Sequence, residues 1–381
     1  MLSEKGYCLS PGQLEAIYNL QDPSKVSLPS ARTTVDPKIY TDTARFQLEM
    51  DRIFHREPLP LTISGLLPDP GMYVAHEAYG VPLLLTRSKT GEVHAFRNVC
   101  RHRGTLLCEE RVPRSGGRVV CPYHAWTYGL DGRLIGVPRQ ETFDKFDKAE
   151  FGLRELPCRE AGGVIWVALR PGAADFSNAT NDIVKDLDAI GLPKMHLYRR
   201  KIEPVDANWK LILDAFLENY HVQRLHANSV AKYFVDSANV YDPIGRHLRS
   251  TSGRSNFDRN EASPDFEKIR HATAFGYHLF PSAVLITSPT YVSFMVVAPV
   301  APNRSHVEVN MLTSEEPKTP KALDHYQRSF DLVEQVFYKE DFHVAALVQK
   351  GIEAGDCGPL VLGGLEQGIR IYHEHIASRL T

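Results

Sequence analysis

The stretch Cys100-Arg101-His102, followed after 18 residues by Cys121-Pro122-Tyr123-His124, decides how this chain is read. Each of these two short knuckles offers one Cys and one His. Thiolates and imidazoles are the soft and borderline ligands that hold iron or zinc. A structural zinc finger groups its two Cys in one knuckle and its two His in the other. Here both knuckles are mixed, which suits a [2Fe–2S] cluster with two Cys on one iron and two His on the other. A zinc site of unusual ligand order is the alternative, and colour separates them, because the cluster is brown and zinc is colourless. A cluster moves electrons and does no chemistry on a substrate by itself. The rest of the chain must therefore contain what receives the electron.

The spacing and the flanking residues Arg103, Gly104, Pro122, Tyr123 and Trp126 resemble the Rieske domain of the Rieske non-haem iron oxygenases. Around the knuckles lie short strand-like runs: Tyr73 to His76, Val81 to Leu85, Val93 to Phe96 and Val164 to Val167. Glycines at 71, 80, 91, 116–117, 132 and 162–163 punctuate them as turns. This pattern predicts a small antiparallel all-β module over residues 56–171, with both knuckles on its loops.

A second constellation follows. Asn208 to His221 reads as a helix, and His226 comes five residues after His221. At about 100° per residue, that step leaves the two side chains about 140° apart. An unbroken helix would not bring both to one metal, so it must end or distort around Val222 to Leu225. Two His and one carboxylate, with positions left open, form the ligand set of non-haem Fe(II) oxygenases. The stretch Asn208-Trp209-Lys210 … Glu218-Asn219-Tyr220-His221 … His226 resembles the corner that supplies two iron ligands in the same family. The resemblance places the third ligand at Asp341, upstream of Gln349-Lys350-Gly351. Periodicity does not choose between Glu340 and Asp341, so Glu340 is the alternative. Glu218 shares a helix face with His221, and Asp214 lies on the same stripe. Acids facing inward beside a ligand need partners. The resemblance implies that Glu218 fixes the His221 imidazole and bridges to His124 of a neighbouring chain. Many ring-hydroxylating members carry Asp there. Glu occurs in members without a small β subunit, including the choline- and carnitine-oxidising types.

With 381 residues, the chain has room for two or three domains. A net charge of −2 and scattered Arg and Lys argue against a nucleic-acid or anionic-membrane partner. No apolar run approaches the ~20 residues of a membrane span. Residues 1–6 lack the basic and apolar regions of a signal peptide. Cys8, Cys108, Cys158 and Cys357 form no framework and read as free thiols, so a reducing, cytoplasmic setting is expected. Neither a dinucleotide-binding fingerprint nor a phosphate-binding loop is present. Electrons from NAD(P)H must then enter through a separate reductase, directly or through a ferredoxin.

Along the chain, Pro11 to Leu20 suggests a short helix, Ser27 to Pro37 an extended arm, and Thr43 to Phe54 a second helix. Residues 1–55 are expected to pack on the catalytic domain. Residues 173–185 read as a polar linker, and residues 172–381 as the mononuclear iron domain. Within it we expect a helix near 208–225, strands near 275–313 and a helix near 320–350. Arg254 to His271 reads as a surface loop, and Tyr372-His373-Glu374-His375 as the polar face of a terminal helix. The expected class is α+β: an all-β Rieske domain, then, as the resemblance implies, a helix-grip domain with an antiparallel sheet. Candidate pocket residues are Leu213, Phe216, Leu217, Asn219 and Asn228 near the corner. On the central strands they are Tyr277, Val284, Ile286, Tyr291 and Phe294. These side chains favour a small aromatic or apolar substrate. The resemblance implies a homotrimeric terminal oxygenase that hydroxylates such a molecule with O₂, or alternatively demethylates one at N or O. A Rieske electron carrier is the non-enzymatic alternative, and it would need no second metal corner.

Overall fold

The computed structural model describes residues 9–26, 32–259 and 266–381. Cys8, residues 27–31 of the Ser27 to Pro37 arm and the centre of the Arg254 to His271 stretch lie outside the described residues. The later half of the chain builds a seven-stranded antiparallel sheet. Its strands are β1 His196–Val205, β2 Phe234–Ile244, β3 His247–Arg254, β4 Thr273–Leu279, β5 Ala283–Thr287, β6 Tyr291–Ala301 and β7 Arg304–Thr313, in the spatial order β1-β7-β6-β5-β4-β3-β2. Side chains alternate between its faces. On β6, Val292, Phe294 and Val296 are buried core residues, while Tyr291 and Ser293 face a cavity.

The N-terminal helix Pro11–Gln21, capped by Ser10, packs on β2 and β3. Its Gln13 side chain donates to the Tyr277 hydroxyl from β4. The opposite face of the sheet carries the cavity. Over it lie the helix Trp209–Asp214 and a long helical run from Pro320 to Glu353. The N-terminal region also braces that cover. Buried Glu49 accepts from Lys210 Nζ (2.8 and 2.6 Å) and from Trp209 Nε1 (2.9 Å). With Arg45 Nε as a further donor (3.1 Å), these hydrogen bonds and opposite charges offset the desolvation of this carboxylate.

Residues 59–167 form three small antiparallel sheets, the largest of five strands. Part of this region shares one continuous apolar core with the seven-stranded sheet, through Leu59, Leu61, Val81, Leu83 and Trp166. The knuckles have their own smaller core around Phe96, Trp126, Tyr128 and Leu134. Between the two halves, buried Glu308 on β7 accepts from Arg200 on β1 (2.6 Å) and approaches His76 of the β module (3.4 Å). Burial opposes its ionisation, but the Arg200 guanidinium and the His76 contact outweigh it and hold the carboxyl well below its ordinary range.

Four local expectations need correction. The helix expected over 208–225 stops at Asp214, and a four-residue turn of helix resumes at Val222. The polar stretch 173–185 is pinned: Ala179 and Ile183 are buried, and Asn178 hydrogen-bonds His247 and Arg246. The Arg254 to His271 stretch is not simply a loop, since Arg254 ends β3 and Phe266–Ala272 is helical. The terminal helix is not merely polar surface: Tyr372 is buried, and His373 and His375 hydrogen-bond Asp214 and the Arg246 carbonyl.

Candidate metal centres and active site

The two knuckles are built alike. In the first, Cys100 N donates to Thr105 O (2.8 Å) and Gly104 N to Cys100 O (3.0 Å). In the second, Cys121 N donates to Trp126 O (2.9 Å) and Ala125 N to Cys121 O (3.0 Å). The residue four after each Cys turns left-handed, Gly104 at φ +78° and Ala125 at φ +55°. Gly adopts that conformation freely, whereas Ala125 does so at a cost the second knuckle must offset. Both Cys are buried and both His are half-buried at the tip. The His102 and His124 ring centroids are 4.7 Å apart, and His102 stacks on Trp126 at 4.7 Å. Among the described residues, the Nδ1 atoms of both His are buried without a hydrogen-bond partner. Two buried thiols and two orphaned imidazole nitrogens fit a mixed-ligand cluster. The Tyr128 hydroxyl lies 3.4 Å from Cys100 Sγ, within hydrogen-bond reach of that sulfur.

The second centre gathers His221, His226 and Asp341, each offering one ligand atom within 4.8 Å of the others. Asp341 Oδ1 lies 3.1 Å from His226 Nε2 and 3.6 Å from His221 Nε2. Each imidazole is held at its other nitrogen by a carboxylate. His221 Nδ1 pairs with Glu218, whose second oxygen accepts from the His221 backbone N–H (3.1 Å). His226 Nδ1 pairs with Glu340 (2.5 Å), which also accepts from Ser229 Oγ (2.8 Å) and Gln335 Nε2 (3.0 Å). Burial opposes ionisation of Glu340, yet these hydrogen bonds hold its carboxyl below the ordinary range. Carboxylates at both Nδ1 atoms fix the tautomers so that both Nε2 lone pairs face Asp341. Asp341 Oδ1 is itself buried and, among the described residues, lacks a hydrogen-bond donor. Three acceptors aimed at one point need a cation between them, and the donor set suits Fe(II).

Glu340 and Asp341 end an eight-residue π-helical stretch, Glu334–Asp341, inside the long helical run. Such wide turns recur at functional sites. Here the stretch lets consecutive acids serve different imidazoles. Asp341 faces the metal position, whereas Glu340 supports His226. Asp214 serves neither: its oxygens are engaged by Tyr40 OH (2.7 Å) and His373 Nε2 (2.8 Å).

The metal corner opens into a cavity of about 330 Å³. Of the expected pocket residues, Phe216, Asn219, Val284, Ile286 and Tyr291 line it. Leu213, Leu217, Tyr277 and Phe294 are fully buried core side chains instead. For Tyr277 and Phe294 the reason is strand alternation, which turns neighbouring Gly276, His278 and Ser293 toward the cavity. Asn228 is solvent-exposed in the turn after His226. Sequence reading missed Phe337, which meets Phe216 edge to face at 5.1 Å beside the corner. It also missed His278, a cavity residue with both ring nitrogens unpartnered. Burial lowers the His278 pKa to about 3, so the ring is neutral. The alternation of β4 could have pointed to it.

Two family models match the chain: "Rieske [2Fe-2S] domain" over residues 60–151 and "Ring hydroxylating alpha subunit (catalytic domain)" over residues 187–381. The glycine betaine monooxygenase oxygenase subunit of Pseudomonas aeruginosa is 35% identical over 206 residues, covering 54% of this chain and 47% of that protein. The chain thus spans about half the length of that relative. The carnitine monooxygenase oxygenase subunit of Escherichia coli (strain K12) is 27% identical over 337 residues, 86% of each chain. A crystal structure of the quaternary ammonium Rieske monooxygenase CntA with L-carnitine superposes with a TM-score of 0.77 at 21% identity, covering 95% of this chain and 98% of that one. That likeness is one of fold. A cluster-binding β module joined to a sheet-and-helix domain with a two-His, one-carboxylate corner thus places this chain in the ring-hydroxylating α-subunit family, with a Rieske [2Fe–2S] domain ahead of its catalytic domain.

Proposed function

We propose that the chain is the terminal oxygenase of a Rieske oxygenase system, drawing electrons from a separate reductase, directly or through a ferredoxin. The observation that carries this reading is the convergence of His221, His226 and Asp341 on a cavity that also holds Phe216, Phe234 and Phe337. In it, Cys100, His102, Cys121 and His124 hold the cluster, in a domain spanning 56–171. His221, His226 and Asp341 hold Fe(II), in a domain spanning 172–381. Fe(II) bound there would supply activation of O₂ for oxidation of a substrate C–H bond. Glu218 and Glu340 hold the Nδ1 protons and keep both Nε2 atoms available. The aromatic walls exclude water and orient an apolar substrate group toward the corner.

The substrate class supported best is a small N-methylated ammonium compound. Aromatic faces attract such cations, and the relatives above are named for glycine betaine and carnitine. Hydroxylation of an N-methyl group consumes one O₂, two electrons and two protons, and releases water. The hydroxymethyl product then loses its hydroxyl proton and breaks its C–N bond, the nitrogen keeping the electron pair and the carbon leaving as formaldehyde. Ring hydroxylation of an apolar aromatic is the second reading, favoured by the same apolar lining. The test is purified protein with a reductase and NADH, offered glycine betaine, L-carnitine, choline or naphthalene. Formaldehyde matching O₂ consumption supports demethylation, and hydroxylated naphthalene without formaldehyde supports the second reading. Colourless protein containing zinc would overturn both.

Assembly follows from the same reading. The cluster and the iron corner lie in different domains, and a closed head-to-tail ring would set one chain's tip against the next chain's corner. We take the ring as a trimer, with Glu218 linking His221 to His124 of the partner subunit. Sedimentation of the active protein as a monomer would remove this assembly.

A further inference from the structure

Arg254 is the last residue of β3, and it lines the cavity that contains the metal corner. Ser250, Ser252 and Arg254 alternate along the strand, so all three present side chains to that cavity. The guanidinium lies over two rings, 5.3 Å from the Phe234 centroid and 5.9 Å from that of Tyr233. Among the described residues no carboxylate pairs with it. The two acids of the cavity lining, Glu218 and Asp341, are committed to the histidines of the corner. Burial lowers the Arg254 pKa, and no anion is at hand to restore it. A partly desolvated cation without a counter-ion is costly unless a ligand supplies one. Ring contacts leave the five N–H donors at the guanidinium edge free for that ligand.

We propose that Arg254 is an anion subsite of the substrate cavity, binding a carboxylate of the substrate through paired N–H donors. Guanidinium and carboxylate match in planarity and spacing, which makes the pair directional as well as attractive. The consequence is a charge rule for the substrate. A zwitterion with a methylated ammonium group and a carboxylate satisfies both the aromatic walls and Arg254. A bare cation meets the aromatic walls but is repelled by the guanidinium. The inference rests on reading this cavity as the substrate site, and it is tested by binding without turnover.

The experiment is calorimetric titration of the anaerobic holoprotein, loaded with cluster and iron, against two matched pairs: glycine betaine with choline, and benzoate with benzyl alcohol. In at least one pair the carboxylate is expected to bind about 10-fold or more tighter than its partner. Arg254→Gln is expected to weaken that carboxylate about 10- to 100-fold while moving its partner less than about twofold. Arg254→Lys recovers part of the loss. If neither carboxylate outbinds its partner, or if Arg254→Gln weakens both members alike, the proposal is wrong. Wild-type titrations and Arg254→Lys decide the matter even if Arg254→Gln fails to fold. Carboxylates that bind through Arg254 but are never oxidised would leave the subsite standing and remove the oxygenase reading.

Discussion

The knuckle tip and the mononuclear corner each use two histidines, yet they are assembled by opposite means. At the tip, each Cys and its His sit two or three residues apart on a turn closed by its own backbone hydrogen bonds. The imidazoles are half-exposed, with no carboxylate partner at Nδ1. At the corner, the two histidines come from a broken helix and the carboxylate from a π-helical stretch 115 residues beyond His226. Both imidazoles there are held by a further carboxylate. The tip is local and outward-facing, which suits electron exchange with another protein. The corner depends on packing and opens into an enclosed cavity, which suits chemistry on a bound molecule. The contrast predicts that damage at one centre spares the other.

The largest effect tests that independence directly. His226→Ala or Asp341→Ala should reduce product formation by more than about 1,000-fold, because the iron's ligand set is broken. The cluster's visible spectrum should be unchanged. Loss of cluster colour in either variant would mean that the two centres fold as one unit.

Next come the supporting carboxylates. Glu340→Gln and Glu218→Gln should each lower iron affinity by about 10- to 100-fold, the usual cost of losing the partner of a ligating imidazole. Iron content after dialysis against graded chelator measures this. If Glu340→Gln binds iron like the parent while Glu340→Ala does not, the role of Glu340 is space-filling rather than orientation.

Packing should follow. Gly368 of the terminal helix lies against the Leu217 carbonyl, one residue before Glu218, and an added Cβ would overlap that oxygen. Gly368→Ala should destabilise the catalytic half by about 1–3 kcal/mol and weaken iron retention, again sparing cluster colour. Loss of iron to a chelator in graded urea, set beside loss of cluster absorbance, separates the two centres. Coincident shifts would dissolve the contrast.

The most gradual effect, spread over a pH window, concerns acid. His247 of the catalytic sheet is fully buried, and burial pulls its pKa down to about 4. Nδ1 accepts from Phe280 N (2.9 Å) and Nε2 faces the Asn178 carbonyl (2.8 Å), so a second proton has no place. Between about pH 6.5 and 4 the unfolded chain therefore binds a proton that the folded chain refuses. Stability should fall by about 1.4 kcal/mol per pH unit as pH drops through that window, from this group alone. His247→Gln should flatten that slope by one proton. An unchanged slope would show that His247 titrates normally in the fold.

Local chemistry explains what the sequence by itself determined. The mixed knuckles identified a cluster domain because their ligands lie within a few residues of one another. Glu218, His221 and His226 were readable as a group for the same reason. So were the α+β class and the strands β4 to β6, since period-two alternation is written residue by residue. The resemblance named Asp341 as the third ligand, but only tertiary structure gave the physical reason that this acid and not Glu340 meets the metal position. The π-helical stretch shifts the phase of the helix, so α-helical periodicity could not choose between Glu340 and Asp341. The end of the metal helix at Asp214 was likewise set from outside, by Tyr40 and His373 on its carboxylate and by Gly368 against Leu217. Part of the cavity wall was also beyond the sequence. Arg254 reads as the start of a polar loop until β3 is seen to pair with β4 and turn Ser250, Ser252 and Arg254 inward. Which face of a strand meets the cavity depends on what covers that face, and that cover arrives from residues 209–214 and 320–353, far away in the chain.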